Sequence, residues 1–162
     1  MAKPSGYSRV QIQLHWAVFV LIVLQFLFHD GIDNAFDRGL DAGALTLSVP
    51  VILHFATGGL ILLLAFARLA VRQARGVPDH PAGGVQKTVA HLVHYSLYGV
   101  MILLPVTGAV AWGQASEGAG EVHEILTKIL LMFVGVHVAA ALFSHYVQKS
   151  GIIRRMLDPD SP

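Results

Sequence analysis

There is no cysteine in the 162 residues. That absence removes disulfides, thiolate-held iron–sulfur clusters and any cofactor attached covalently through C-x-x-C-H. Charge is also scarce: 13% of residues are Asp, Glu, Lys or Arg, against about a quarter in an ordinary soluble domain. Low-complexity tracts and internal repeats are missing too, so the chain reads as one domain, 1–162.

What is present in excess is apolar sequence. Hydrophobic residues make up 54% of the chain and the mean hydropathy is +0.61. They fall in four blocks, Val10–Phe28, Leu45–Leu64, Val89–Trp112 and Ile125–Val147, each about long enough to cross a bilayer as a helix. Backbone groups in lipid must be satisfied within the segment, so the blocks predict an all-α, integral membrane four-helix bundle. The expected spans are about 8–29, 48–72, 87–112 and 121–148. The first block is read as a helix rather than a signal peptide, because no small-residue cleavage pattern follows Phe28.

The net charge of +1 hides a segregation. Lys3, Arg9, Arg68, Arg72, Arg75, Lys87, Lys149, Arg154 and Arg155 lie at one set of span ends. The other set holds Asp30, Asp33, Asp37, Asp41, Glu117, Glu121 and Glu124 with only Arg38 and Lys128. The positive-inside tendency then puts both termini in the cytoplasm and the acidic connections outside a bacterial inner membrane. The outer stretch DGIDNAFDRGLDAGAL reads as a long loop, ARGVPDHPAGG as a cytoplasmic break, and GQASEGAG as a very short outer link.

Nine histidines accompany these spans. Ionisable groups inside a membrane are costly and need partners. His123 and His137 are fourteen residues apart, so both look out of one helix face, ~21 Å apart along the axis. Helix direction sets the depth of the others: His54 belongs near the outer surface and His15 in the inner half of the first span. The economical pairing is His54 with His123 and His15 with His137. The inner pair matches less well, and tilt must absorb ~9 Å. Neutral imidazoles in facing pairs suit haem iron, and two on one iron leave no open position for oxygen or substrate. The reading is therefore two non-covalent b-type haems, an outer and an inner, built for electron transfer. Gly58, Gly59, Gly99, Gly108 and Gly135 are small enough to sit beside a flat macrocycle, or to let helices pack closely.

Arg68 follows His54 by fourteen residues and is assigned to an inner-haem propionate, the planar contact that arginine favours. His91 and His94 share a helix face near the cytoplasmic surface. With Tyr95, Ser96 and His145 nearby, they are candidates for a quinone pocket. Lys128 is expected to reach outward, and His29 and His80 to lie in loops. A histidine-rich metal transporter would need carboxylates within the spans, and only Glu121 and Glu124 occur, at the rim.

The strings YSRVQIQLHWAVF, LHFATGGLILLLAFARLAVR, AHLVHYSLYGVMILLPVTGAV and VHEILTKILLMFVGVHVAAALFSHY resemble the bacterial cytochrome b561 family along nearly the whole chain. The pattern of four histidines is also similar to the di-haem b subunits of membrane formate dehydrogenases and nickel–iron hydrogenases. The resemblance implies a four-helix bundle with two b haems on His15, His54, His123 and His137, and a quinone end at His94 and His145. One member passes electrons from superoxide to ubiquinone, so a superoxide:quinone oxidoreductase is one expectation. Here, however, the outer side is acidic and the outer link short. An acidic field opposes an anion and suits a basic partner such as a periplasmic c-type cytochrome or dehydrogenase. The second expectation is thus an electron-transfer subunit. The expected partners are membrane lipid, a quinone and that basic protein, with no nucleic acid.

Overall fold

A computed structural model describes Pro4 and residues 6–79 and 84–159; Lys3 and His80 lie outside the described residues. It is all-helical, with α1 Arg9–Leu27, α2 Asp30–Asp41, α3 Val49–Arg75, α4 Gly84–Gly113 and α5 Glu117–Leu142. Four of these, α1, α3, α4 and α5, are long and apolar enough to cross a bilayer. Their boundaries follow local chemistry. Ser8 caps α1 in a reciprocal box with Gln11, which satisfies two backbone donors at once. Pro50 occupies the first turn of α3, where its missing N–H costs least. Pro105 sits inside α4 without ending it.

The acidic connection after α1 is a helix where the sequence suggested a loop. Glycine and aspartate are poor helix formers, but Ile32, Ala35, Phe36 and Leu40 recur at helical spacing and are half-buried. Asp30 and Asp33 occupy the first turn of α2 and Arg38 the last, each opposing the sign of the helix dipole there. Gly39 is required by a close approach: the chain turns back after α2, with the Ala44 N–H donating to the Gly39 carbonyl at 2.9 Å, and a Cβ on Gly39 would collide with Leu45. The link between α4 and α5 shortens to residues 114–116, because the stretch from Glu117 onward joins α5. Ala115 takes a left-handed conformation there, φ 48°.

At the basic end, α5 runs into a single π-helical turn, Phe143–Val147, and the tail ends in a short 3₁₀ turn, Arg154–Met156. Wider turns of this kind recur at functional sites. The tail folds back under the bundle, where the Trp16 indole donates to the Met156 carbonyl at 2.8 Å and Arg155 Nη1 to the Asp79 carbonyl at 3.1 Å.

The spans pack in sequence, α1 on α3, α3 on α4 and α4 on α5, and α2 rests on α3. Helix α5 packs chiefly on α4. Side chains join it to α1 and α3 in one middle layer of Val18, Ile61, Ala65, Tyr98, Met101 and Leu130. Leu130 lies midway between His123 and His137 on α5, so the packed layer lies between the two histidine levels, one toward each end. Large apolar side chains such as Phe19, Leu63, Phe66, Leu103 and Met132 face outward, as a lipid-contacting surface requires.

Candidate functional site: two facing histidine pairs

At the acidic end the rings of His54 on α3 and His123 on α5 face each other with centroids 6.2 Å apart. At the basic end His15 on α1 and His137 on α5 do the same at 6.1 Å. Two imidazole nitrogens each bound ~2 Å from one metal ion, on opposite sides, place the ring centroids ~6 Å apart, since each nitrogen is ~1 Å from its ring centre. Both pairs have that separation. The inner rings meet although the spacing of their flanking charges left them at unequal depths.

The glycines near the pairs fall into two groups. Cβ atoms built on Gly59, Gly99 and Gly135 would meet nothing within 4 Å. Gly58 and Gly108 are different: a side chain on Gly58 would crowd Gln25, and one on Gly108 would come within 3.0 Å of the His123 ring. Gly108 therefore lets His123 lie against α4, where its Nδ1 reaches the Leu104 carbonyl at 2.9 Å and the Thr107 hydroxyl at 3.2 Å. A carbonyl only accepts, so Nδ1 carries the proton and Nε2 keeps its lone pair. This is the arrangement that a metal-binding histidine adopts.

The inner level differs. Arg68 Nη2 lies 3.1 Å from His15 Nδ1, and a guanidinium only donates. While that bond is made, the neutral His15 ring carries its proton on Nε2. Metal ligation through Nε2 and the Arg68 hydrogen bond are thus alternatives, and ligation frees the guanidinium for another acceptor. Arg68 also lies over the Tyr98 ring, 5.6 Å from its centroid.

A third imidazole belongs to this level. His94 stands edge-on to His137 with centroids 5.0 Å apart, too close for a metal between them on opposite sides. Its Nδ1 donates to the Ala90 carbonyl at 2.6 Å, leaving Nε2 as an acceptor. His94 also lines a recess at the basic end, with His91, Tyr7, Arg72, Pro78 and Arg155. His145 is not on that recess; it sits in the π-helical turn, edge-on to Tyr146, with its Nδ1 buried and unpartnered. The apolar environment holds the Tyr7 phenol above its ordinary pKa, against the opposing pull of Arg72 and Arg155. Arg72 otherwise lies over the Tyr95 ring. The sequence marked Arg72 and Arg155 only as inside-facing charges and Tyr7 not at all, because three distant segments bring them together.

The acidic end is covered instead by α2. Phe36 lies over Gly120 and 6.1 Å from Trp112, Trp112 lies 5.7 Å from Phe55, and Phe55 follows His54 directly. His29 pairs with Asp30 at 3.1 Å and approaches Asp33 at 4.0 Å. Partial burial pushes the Asp33 carboxyl up; His29 pulls it down, and Asp37, Asp30 and Glu124 push it further up. Lys128 is exposed and paired with Glu124 at 2.6 Å, turned away from the bundle as expected.

Comparison with known proteins completes the observations. The family model for prokaryotic cytochrome b561 matches residues 6–159. The chain is 31% identical to cytochrome b562 of Cereibacter sphaeroides, covering 98% of this chain and 99% of that protein. It is 23% identical to cytochrome b561 homolog 1 of Escherichia coli, over 94% of this chain and 97% of the other. It is 25% identical to the probable superoxide oxidase CybB of Yersinia pestis, over 93% and 95%. No solved structure matches.

Proposed function

The chain belongs to the prokaryotic cytochrome b561 family, and from that premise we propose that it is a di-haem membrane cytochrome moving electrons between an outer donor and a quinone. The observation that carries the reading is the pair of facing imidazole couples, 6.2 and 6.1 Å between centroids, stacked along one face of α5. His54 and His123 would hold the outer haem b, and His15 and His137 the inner one. A b-type haem held by two imidazoles would supply one-electron transfer.

The protein's own groups do the rest. The Leu104 carbonyl fixes the His123 tautomer. Arg68, bonded to His15 here, would be free to meet an inner-haem propionate, for which its planar fork is suited. His94 joins the recess to His137, and its free Nε2 accepts a proton or a hydrogen bond at a quinone oxygen. His91 lines the same recess, and His145 serves the quinone end from the π-helical turn. Ubiquinone is the substrate proposed. The protein sits in the bacterial inner membrane with both termini cytoplasmic.

Two donors divide the reading. One of the relatives is named a probable superoxide oxidase, which favours superoxide. The exposed acids of α2, Asp30, Asp33, Asp37 and Asp41, favour a basic periplasmic electron-transfer protein, and the Phe36–Trp112–Phe55 contacts run from that helix to His54. Replacing Asp33, Asp37 and Asp41 together by Asn is expected to speed reaction with superoxide and slow reduction by a basic cytochrome c. Unchanged rates with both donors would remove the steering argument. The reading as a whole is tested by a reduced-minus-oxidised spectrum with haem quantification: two haems b per chain are expected, and colourless protein after expression with ample haem supply would end it.

A further inference from the structure

The recess at the basic end has an electrostatic peculiarity. Arg72 and Arg155 both line it, beside Tyr7, His91 and His94, and among the described residues no carboxylate does. Among the described residues the ion pairs are His29 with Asp30 and Asp33, Lys87–Asp79, Lys128–Glu124 and Arg154–Asp158, so Arg72 and Arg155 share the recess without an anionic partner. Arg155 is positioned rather than loose. Its Nη1 donates to the Asp79 carbonyl, and the neighbouring Met156 carbonyl is held by Trp16. Its Nε–H, however, is buried with no acceptor. A buried donor without a partner is unfavourable unless something else supplies the acceptor. Tyr7 contributes a third donor, its phenol protonated at neutral pH as tyrosine ordinarily is.

We propose that Arg155 from the C-terminal tail, Arg72 from the end of α3 and Tyr7 from the N-terminal segment complete the quinone site, holding a ring oxygen as negative charge develops on it. This rests on the quinone reading above and names the residues that give that site its chemistry. Reduction of a benzoquinone to its quinol takes two electrons, arriving singly by way of the His137 side, and two protons from cytoplasmic water. Both C=O groups become C–OH. Between electron and proton the ring oxygens carry negative charge, and two fixed guanidiniums favour that state. Arginine is suited to this task because it remains charged at every working pH. The tail after Gly151 is thereby a working part of the site, not only a membrane-surface charge.

The experiment uses the full-length, haem-loaded protein in detergent and a ubiquinone carrying a decyl tail as probe. Haem per chain and optical spectra are recorded for the wild type and for Arg155→Leu, Arg155→Lys, Arg72→Gln and Tyr7→Phe. Probe binding is measured by calorimetry, and KM and kcat for quinone reduction are measured separately. Arg155→Leu and Arg72→Gln are expected to keep both haems and weaken probe binding about tenfold or more, with the change mainly in KM. Arg155→Lys, which retains the charge and can still reach the Asp79 carbonyl, is expected to recover part of the loss. Tyr7→Phe removes one hydroxyl only and is expected to weaken binding several-fold, which keeps the proposal testable if Arg155→Leu fails to fold. Wild-type affinity in both Arg72→Gln and Tyr7→Phe overturns it. If the wild type itself binds no probe while holding two haems, the quinone reading fails first and this assignment falls with it.

Discussion

The acidic and basic ends of the bundle present the same two imidazoles at nearly the same separation, 6.2 and 6.1 Å, in opposite surroundings. At the acidic end His123 is held by a carbonyl and a hydroxyl, with His29, Asp30 and Asp33 on the helix above it and Glu124 beside it on α5. At the basic end His15 is held by a guanidinium, a third imidazole stands against His137, and Arg72 and Arg155 line the recess beyond. Imidazole geometry is therefore the shared part of the two ends and charge the individual part. A centre that gains an electron is favoured by nearby cations and disfavoured by nearby anions. A unit charge ~10 Å away at an effective dielectric of ~20 contributes about 1–2 kcal/mol. On the di-haem reading proposed above, this arrangement would favour the basic end as the electron acceptor and flow from the outer side inward.

The comparison breaks most visibly if one end can be emptied without the other. His123→Ala removes an outer ligand and is expected to halve the haem content while the inner spectrum persists, because the Val18–Ile61–Met101–Leu130 layer packs independently of either pair. Loss of both haems, or retention of both, would show that the two levels are not separate. Next in size is Arg68→Gln. It is expected to lower the inner centre's potential by the equivalent of about 1–2 kcal/mol and to leave the outer one unmoved, as read by redox titration of the two spectral components. Equal shifts at both ends would mean that the charge acts on the whole bundle. Smaller again is Gly108→Ala. Its Cβ would press on the His123 ring at 3.0 Å, and the backbone of α4 cannot yield as a side chain can. The outer haem is expected to be bound more weakly, with broadened spectra, and the inner haem unchanged; an unaltered outer spectrum would remove Gly108 from the site.

These features differ in how far the sequence announced them. Hydropathy specified four spans because lipid allows few alternatives for a 20-residue apolar run, and the fourteen-residue step on α5 aligned His123 with His137 because helical geometry is fixed. The meeting of His15 with His137 was not fixed by spacing, because packing between the spans sets their relative depth. Helix α2 was hidden by its composition. Gly31, Gly39 and four aspartates lower local propensity, and the compensating gain, Phe36 and Ile32 settling on the bundle, is tertiary. The recess was least legible, since Tyr7, Arg72 and Arg155 are far apart in sequence and meet only because the tail folds back onto Trp16 and Asp79. For Gly108 the sequence suggested a place beside a macrocycle, whereas the structure sets it against the ring of His123.

The smallest effect tests whether the charge difference between the ends is fixed or adjustable. Arginines at the basic end stay charged at any working pH, but Asp33 at the acidic end does not. Its carboxyl is pushed up by partial burial, against His29 and with Asp37, Asp30 and Glu124. A raised pKa in the fold means that ionising Asp33 costs the folded state. That contribution is most favourable below the ordinary carboxylate range and is lost as pH rises through the raised value. Asp33→Asn is therefore expected to stabilise the protein slightly at neutral pH and not in acid, by an amount kept small because the side chain is 65% exposed and screened by solvent. Thermal unfolding in detergent at several pH values reads this directly, and an equal gain at every pH would assign the effect to something other than charge. The same titration bears on electron flow. As the pH falls through the raised pKa, the outer centre loses a neighbouring negative charge and its potential rises while the inner one stays put, so the difference between the ends narrows in acid and Asp33→Asn abolishes that narrowing.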